Sequence, residues 1–138
     1  MIGLDTNVLA RYYIEDKKDA EAERQRLTAR RLIESGRPLM VCKTVILEFE
    51  WLMRGYYGFT QAEAVSVLRH LLALAHVSIE DRSTVTQALS HCDAGIDLAD
   101  ALHHASYRAC ASVASFDDRK FARRAKKLGL APAVLVPV

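Results

Sequence analysis

Six acidic side chains stand where carboxylates could do chemistry together. Asp5 closes the apolar run Ile2-Gly3-Leu4, and Asp117 with Asp118 closes the run from Ser112 to Phe116. Glu48 lies one turn into a helical pattern, while Asp97 and Asp100 open another, three residues apart and so neighbours on a helix surface. Carboxylates gathered at one edge repel one another and raise each other's pKa unless a positive charge sits between them. A hard divalent cation supplies that charge, because Mg²⁺ and Mn²⁺ prefer carboxylate and water oxygens. No His/Cys ligand spacing points to structural zinc instead. Such an ion lowers the pKa of a bound water and neutralises charge on a phosphate oxygen, so the chemistry this set suits is phosphodiester hydrolysis.

Each acid also has a plainer explanation. Aspartate is a favoured helix N-cap, and Asp5, Asp97 and Asp117 all stand where a helix is expected to begin. Asp97 with Asp100 would serve as an Asp variant of a capping box. Glu48 is different. Its helical neighbours include Val45, Trp51 and Leu52, so it is expected on a largely buried face, where a carboxylate without a partner is costly. Glu50 points to another side of the helix and has Arg54 four residues on, so it is expected as half of a surface ion pair.

The elements that must position these groups alternate. Short apolar runs, read as strands, are Ile2 to Leu4, Leu39 to Cys42, Val77 to Ile79, Ser112 to Phe116 and Ala133 to Val136. Helical patterns cover Asp19 to Glu34, Thr44 to Tyr57, Thr60 to Leu74, Thr84 to Ser90, Asp97 to Cys110 and Asp118 to Leu128. Gly36-Arg37-Pro38 stops one helix and Gly129 stops the last. Strand alternating with helix implies an α/β fold with a parallel sheet covered by helices. In such sheets the functional crevice lies beyond the carboxyl ends of the strands, where Asp5 and Asp117 fall.

The chain of 138 residues fits one domain spanning positions 1–138, and its net charge of +2 is too small to specify a partner. Three scattered cysteines, Cys42, Cys92 and Cys110, form no disulfide framework and read as reduced thiols. The opening Met1-Ile2-Gly3-Leu4-Asp5 has no basic leader, and no apolar run would cross a bilayer. A soluble, cytoplasmic protein without membrane contact is expected.

Four segments carry a family resemblance: Ile2-Gly3-Leu4-Asp5-Thr6-Asn7-Val8-Leu9, Val45-Ile46-Leu47-Glu48-Phe49-Glu50-Trp51, Ile96-Asp97-Leu98-Ala99-Asp100-Ala101-Leu102 and Ala114-Ser115-Phe116-Asp117. In this order they resemble PIN-domain proteins, and specifically VapC-type toxins of bacterial toxin–antitoxin pairs. The resemblance implies a three-layer α/β/α fold with a central, mostly parallel sheet of about five short strands. It implies that Asp5, Glu48, Asp100 and Asp117 are the catalytic acids and the ligands of Mg²⁺ or Mn²⁺. Asp97 matches a less central acid, and Thr6, Asn7 and Ser115 match polar positions that orient the acids; the family commonly has Thr at the place of Ser115. It further implies an endoribonuclease acting on RNA, with transfer RNA a candidate target, a cognate antitoxin that blocks the site, and a homodimer.

His103 and His104 depart from the family, which has small or apolar residues there. His104, four residues beyond Asp100, shares its helix face and either touches the site or packs as a satisfied histidine, the second being the commoner case. The last helical segment is basic. Arg119, Lys120 and Arg123, beginning beside Asp117, are candidates to hold RNA phosphates, although the full set with Arg124, Lys126 and Lys127 also reads as a solvated helix whose cations favour its C-terminal end. Arg24, Arg26, Arg30 and Arg31, interleaved with Glu21 and Glu23, read as helix-surface pairing. Apolar residues from Ala64 to Leu72 read mostly as core, with any spare surface there or at Tyr56-Tyr57 available to a dimer or antitoxin. Two other classes stay open: a PIN-like nuclease of housekeeping RNA processing, and a silent binding module. A haloacid-dehalogenase-type phosphatase would need an acid where Asn7 stands, and the acidic doublet of a receiver domain is absent.

Overall fold

A computed structural model describes all residues from Met1 to Val138. The chain divides into two compact units, Met1–Glu80 and Asp81–Val138.

The first unit runs β1 (Ile2–Gly3), α1 (Thr6–Tyr13), α2 (Ala20–Ile33), β2 (Leu39–Val41), α3 (Lys43–Gly55), α4 (Gln61–Ala73) and β3 (Val77–Ile79). Its strands form a parallel sheet in the order β1-β2-β3, with Ile2 opposite Leu39 and Leu39 opposite Val77. Leu39 and Val41, two apart and so on one face of the central strand, are fully buried, while Met40 on the opposite face is partly exposed. α2 ends at Ile33 with Glu34 as its cap, and Gly36, at a positive φ of 76°, turns the chain toward β2. Thr60 and Glu63 open α4 with a reciprocal capping box, at 3.1 and 2.9 Å.

The second unit runs α5 (Arg82–Asp93), α6 (Leu98–Ser106), β4 (Ser112–Ala114), α7 (Phe121–Leu128) and β5 (Ala133–Leu135). β4 and β5 pair in parallel, with Val113 opposite Val134. Gly129, at φ 65°, ends α7 as expected.

Mixed α/β architecture with parallel strands is thus what the chain forms, but its five strands divide into sheets of three and two instead of one sheet. β1 is only two residues long and pairs with β2 alone. Helix α1 begins where Asp5 is expected to cap a helix, although its span is not among the periodic patterns of the sequence. Its buried residues are Thr6, Leu9 and Ala10, so a threonine occupies a core-facing position and weakens the apolar periodicity. α6 ends at Ser106, short of Cys110. The Ser106 hydroxyl donates to the Leu102 carbonyl at 2.7 Å, and the Cys110 N–H closes a turn onto Tyr107. α7 starts three residues later than expected because Asp117 accepts the Lys120 N–H at 3.0 Å, which holds that segment in a turn.

The sharpest correction concerns α3. Its buried residues are Ile46, Phe49, Glu50 and Met53, an i, i+3, i+4, i+7 stripe. Glu48 is therefore exposed and Trp51 is 66% exposed, whereas Glu50 is only 1% exposed. The expected pairing of Glu50 with Arg54 does form, but as a buried carboxylate meeting a partly exposed guanidinium, not as a surface pair.

Candidate active site

Asp5 follows β1 and caps α1. Its backbone is extended at φ −87° and ψ 164°, and its Oδ1 accepts the Thr6 N–H at 2.8 Å. The capping role is real, yet Asp5 stays exposed and retains lone pairs for other work. Thr6 turns inward, and its hydroxyl donates a hydrogen bond to Glu48 Oε1. That contact ties the start of α1 to the second turn of α3 and fixes where the Glu48 carboxylate points. Asn7 is exposed beside them. Asp5, Thr6, Asn7 and Glu48 all line one cleft of about 440 Å³ in the first unit, with Trp51 and Tyr56 on its wall.

In the second unit Asp97 precedes α6 but makes no side-chain capping bond, so capping does not account for its carboxylate. Asp100 lies one turn further on. Burial holds its carboxyl above the ordinary carboxylate range, with the charges of Asp97 and Asp117 adding to the rise and His103 and Arg124 opposing it. Asp117 is exposed after β4; its N–H donates to Ser115 Oγ at 3.1 Å and its Oδ1 accepts from Lys120. Arg119, Lys120 and Arg123 are exposed, with Arg119 and Lys120 in the turn ahead of α7.

The two histidines separate. His104 is buried and its Nε2 contacts the Pro132 carbonyl at 2.8 Å, so it is a packing residue. His103 is exposed and lies near enough to Asp100 to lower its carboxyl pKa, so the neighbour three residues on, not four, meets the acid.

Each unit thus assembles a partial set of acids: Asp5 with Glu48 in the first, and Asp97, Asp100 and Asp117 in the second. No three His, Cys, Asp or Glu side chains stand close enough to hold a metal ion as a group. In kind, the donors fit a hard divalent cation, being carboxylates and hydroxyls without thiolate or imidazole ligands, and the raised Asp100 carboxyl is the electrostatic condition such a cation relieves.

The family model for the PIN domain matches residues 2–127. The chain belongs to the PIN-domain family. No curated protein matches it. PIN domains are generally nucleases and typically use divalent metals, so this PIN domain is a nuclease-type module. No helix of it is long and apolar enough to cross a membrane. The four resemblance segments all fall inside the matched span.

A feature that sequence reading missed is the aromatic wall of the cleft. Helical spacing alone puts Trp51 on a buried face; with the α3 stripe in place, its indole is exposed and lines the same cleft as Glu48. The signal was the alternative register Ile46, Phe49, Met53, which is more uniformly apolar than Val45, Leu52 and the glutamate between them.

Proposed function

We propose that the protein is an Mg²⁺- or Mn²⁺-dependent endoribonuclease, hydrolysing RNA phosphodiester bonds. The observation that carries this reading is Glu48: an exposed carboxylate beside Asp5, held in place by the Thr6 hydroxyl and not consumed by any ion pair or cap. Asp5, Glu48, Asp100 and Asp117 are the proposed ligands, by resemblance to the family. When bound, the ion lowers the pKa of an attacking water and neutralises charge on the phosphate.

The chain's own residues do the rest. Thr6 orients Glu48, and Ser115 braces the turn that presents Asp117. Asp97, free of capping duty, supports Asp100 through the helix turn they share. Arg119, Lys120 and Arg123 hold RNA phosphates as point charges, with no base selectivity of their own.

The finer reading is a VapC-type toxin, cytoplasmic and homodimeric, inhibited by a cognate antitoxin, with transfer RNA a candidate target. Its support is the four resemblance segments. The test of the activity is cleavage of structured RNA by the purified chain with Mg²⁺ or Mn²⁺ and its loss in Asp5→Asn and Glu48→Gln. The test of the toxin role is a short neighbouring reading frame whose product co-purifies and inhibits.

A further inference from the structure

Trp51 is three residues after Glu48 on α3, so the indole and the carboxylate stand side by side on one helix face. It is the single tryptophan of the chain, and 66% of its surface is exposed. A large ring left in water at a cleft wall calls for an occupant. The ring is also held. It lies along the helix over Gly55, where a Cβ would sit 3.6 Å from indole Cε2, so the backbone backs one face while the exposed surface remains for a ligand. Tyr56, 71% exposed, lines the same cleft and stacks edge-on against Tyr57 at 4.8 Å.

The remaining wall carries the carboxylates of Asp5, Asp16, Asp19 and Glu48 together with one cation, Arg11, which faces Asp19 at 4.0 Å. Ionised carboxylates only accept hydrogen bonds. A flat ring bearing N–H donors on its edge fits a ring face next to such acceptors, and adenine, cytosine and guanine are rings of that kind.

We propose that the Trp51 indole is a stacking platform for an unpaired nucleobase of the RNA substrate, adjacent to the phosphate that Asp5 and Glu48 serve. This rests on the nuclease reading above. Trp51 is a positioning residue: it selects single-stranded over paired RNA, because a base inside a duplex has no free face to offer.

The test is binding in excess chelator, so that affinity is read apart from cleavage. Tryptophan fluorescence reports on Trp51 alone. It is expected to be quenched saturably by a single-stranded RNA hexamer, and not by the matched duplex or by an abasic strand of the same length. By anisotropy of labelled hexamer, Trp51→Ala is expected to bind roughly tenfold more weakly and Trp51→Phe to recover most of the loss, the range of one base–aromatic stack. Equal affinity of wild type and Trp51→Ala, or equal quenching by the abasic strand, overturns the proposal. A spectral shift that follows protein concentration without RNA, with a dimer by light scattering, overturns it in favour of a second copy on this face. Cleavage that persists while Trp51→Ala binds normally refutes stacking and leaves the nuclease reading standing; absence of both cleavage and binding refutes both.

Discussion

The Thr6 hydroxyl donates to the Glu48 carboxylate across 42 residues of sequence, joining the first turn of α1 to α3. Asp5 is positioned by its bond to the Thr6 N–H, so one residue sets two acids, Asp5 through its backbone and Glu48 through its side chain.

Thr6→Val keeps the shape of this residue and removes only the donor. Folding should survive, because Glu48 is exposed and water replaces the hydroxyl at small cost, about 1 kcal/mol. Cleavage should fall roughly 10- to 100-fold, the usual loss when a group orienting a metal ligand is removed. Initial rates and the circular-dichroism melt, measured on the same preparation, separate the two effects.

Glu48→Gln and Glu50→Ala should divide activity from stability. Glu48 is exposed, so its amide variant should change unfolding free energy by no more than about 0.5 kcal/mol. Glu50 is 1% exposed and faces Arg54, whose side chain is 33% exposed; truncation should cost about 2–3 kcal/mol, below the full penalty of a wholly buried pair because water reaches the guanidinium. Urea denaturation of both variants checks this. A larger loss for Glu48→Gln than for Glu50→Ala would refute the placement of the α3 stripe.

Stability should fall on mild acidification. Burial, aided by the nearby His104, lowers the His91 pKa below the ordinary imidazole value. The unfolded chain then binds a proton that the folded chain refuses, so this contribution is present above about pH 6.5 and is lost as pH falls toward the depressed folded value. Melting temperature measured from pH 7.5 to 5.5 should decline, and His91→Gln should flatten the decline.

A divalent ion bound by the carboxylates should stabilise the fold by mass action. At a hundredfold excess over its Kd, Mn²⁺ should add about 2.7 kcal/mol. Asp100→Asn should lose most of that increment while melting no lower than wild type in chelator, because burial and the neighbouring Asp97 and Asp117 charges disfavour a charged group at this position. Thermal melts with and without Mn²⁺ give both numbers.

Much of the architecture was legible because it rests on local rules. Leu39, Met40 and Val41 form a short, uniformly apolar run, Gly129 stops α7, and Thr60 with Glu63 caps α4. The misreadings arose where a polar residue takes a core position. Thr6 blurred the span of α1 although Asp5 marks its start, and buried Glu50 exchanged places with Glu48, since a glutamate on the apolar stripe looks from sequence like the surface. Trp51 compounded this by counting as apolar while serving the cleft. His104 was settled only by the Pro132 carbonyl, 28 residues away and invisible to helical spacing. The division of the strands into sheets of three and two depends on pairing across the chain, which periodicity does not report.

The most direct measurement is metal-dependent RNA cleavage by three proteins: wild type, Asp5→Asn and Glu48→Gln. Wild type should cleave structured RNA with Mg²⁺ or Mn²⁺ and stop in excess chelator, while both variants should melt within a few degrees of wild type and cleave at least a hundredfold more slowly. Unchanged cleavage by both variants, or full wild-type activity in excess chelator, would contradict the proposed site.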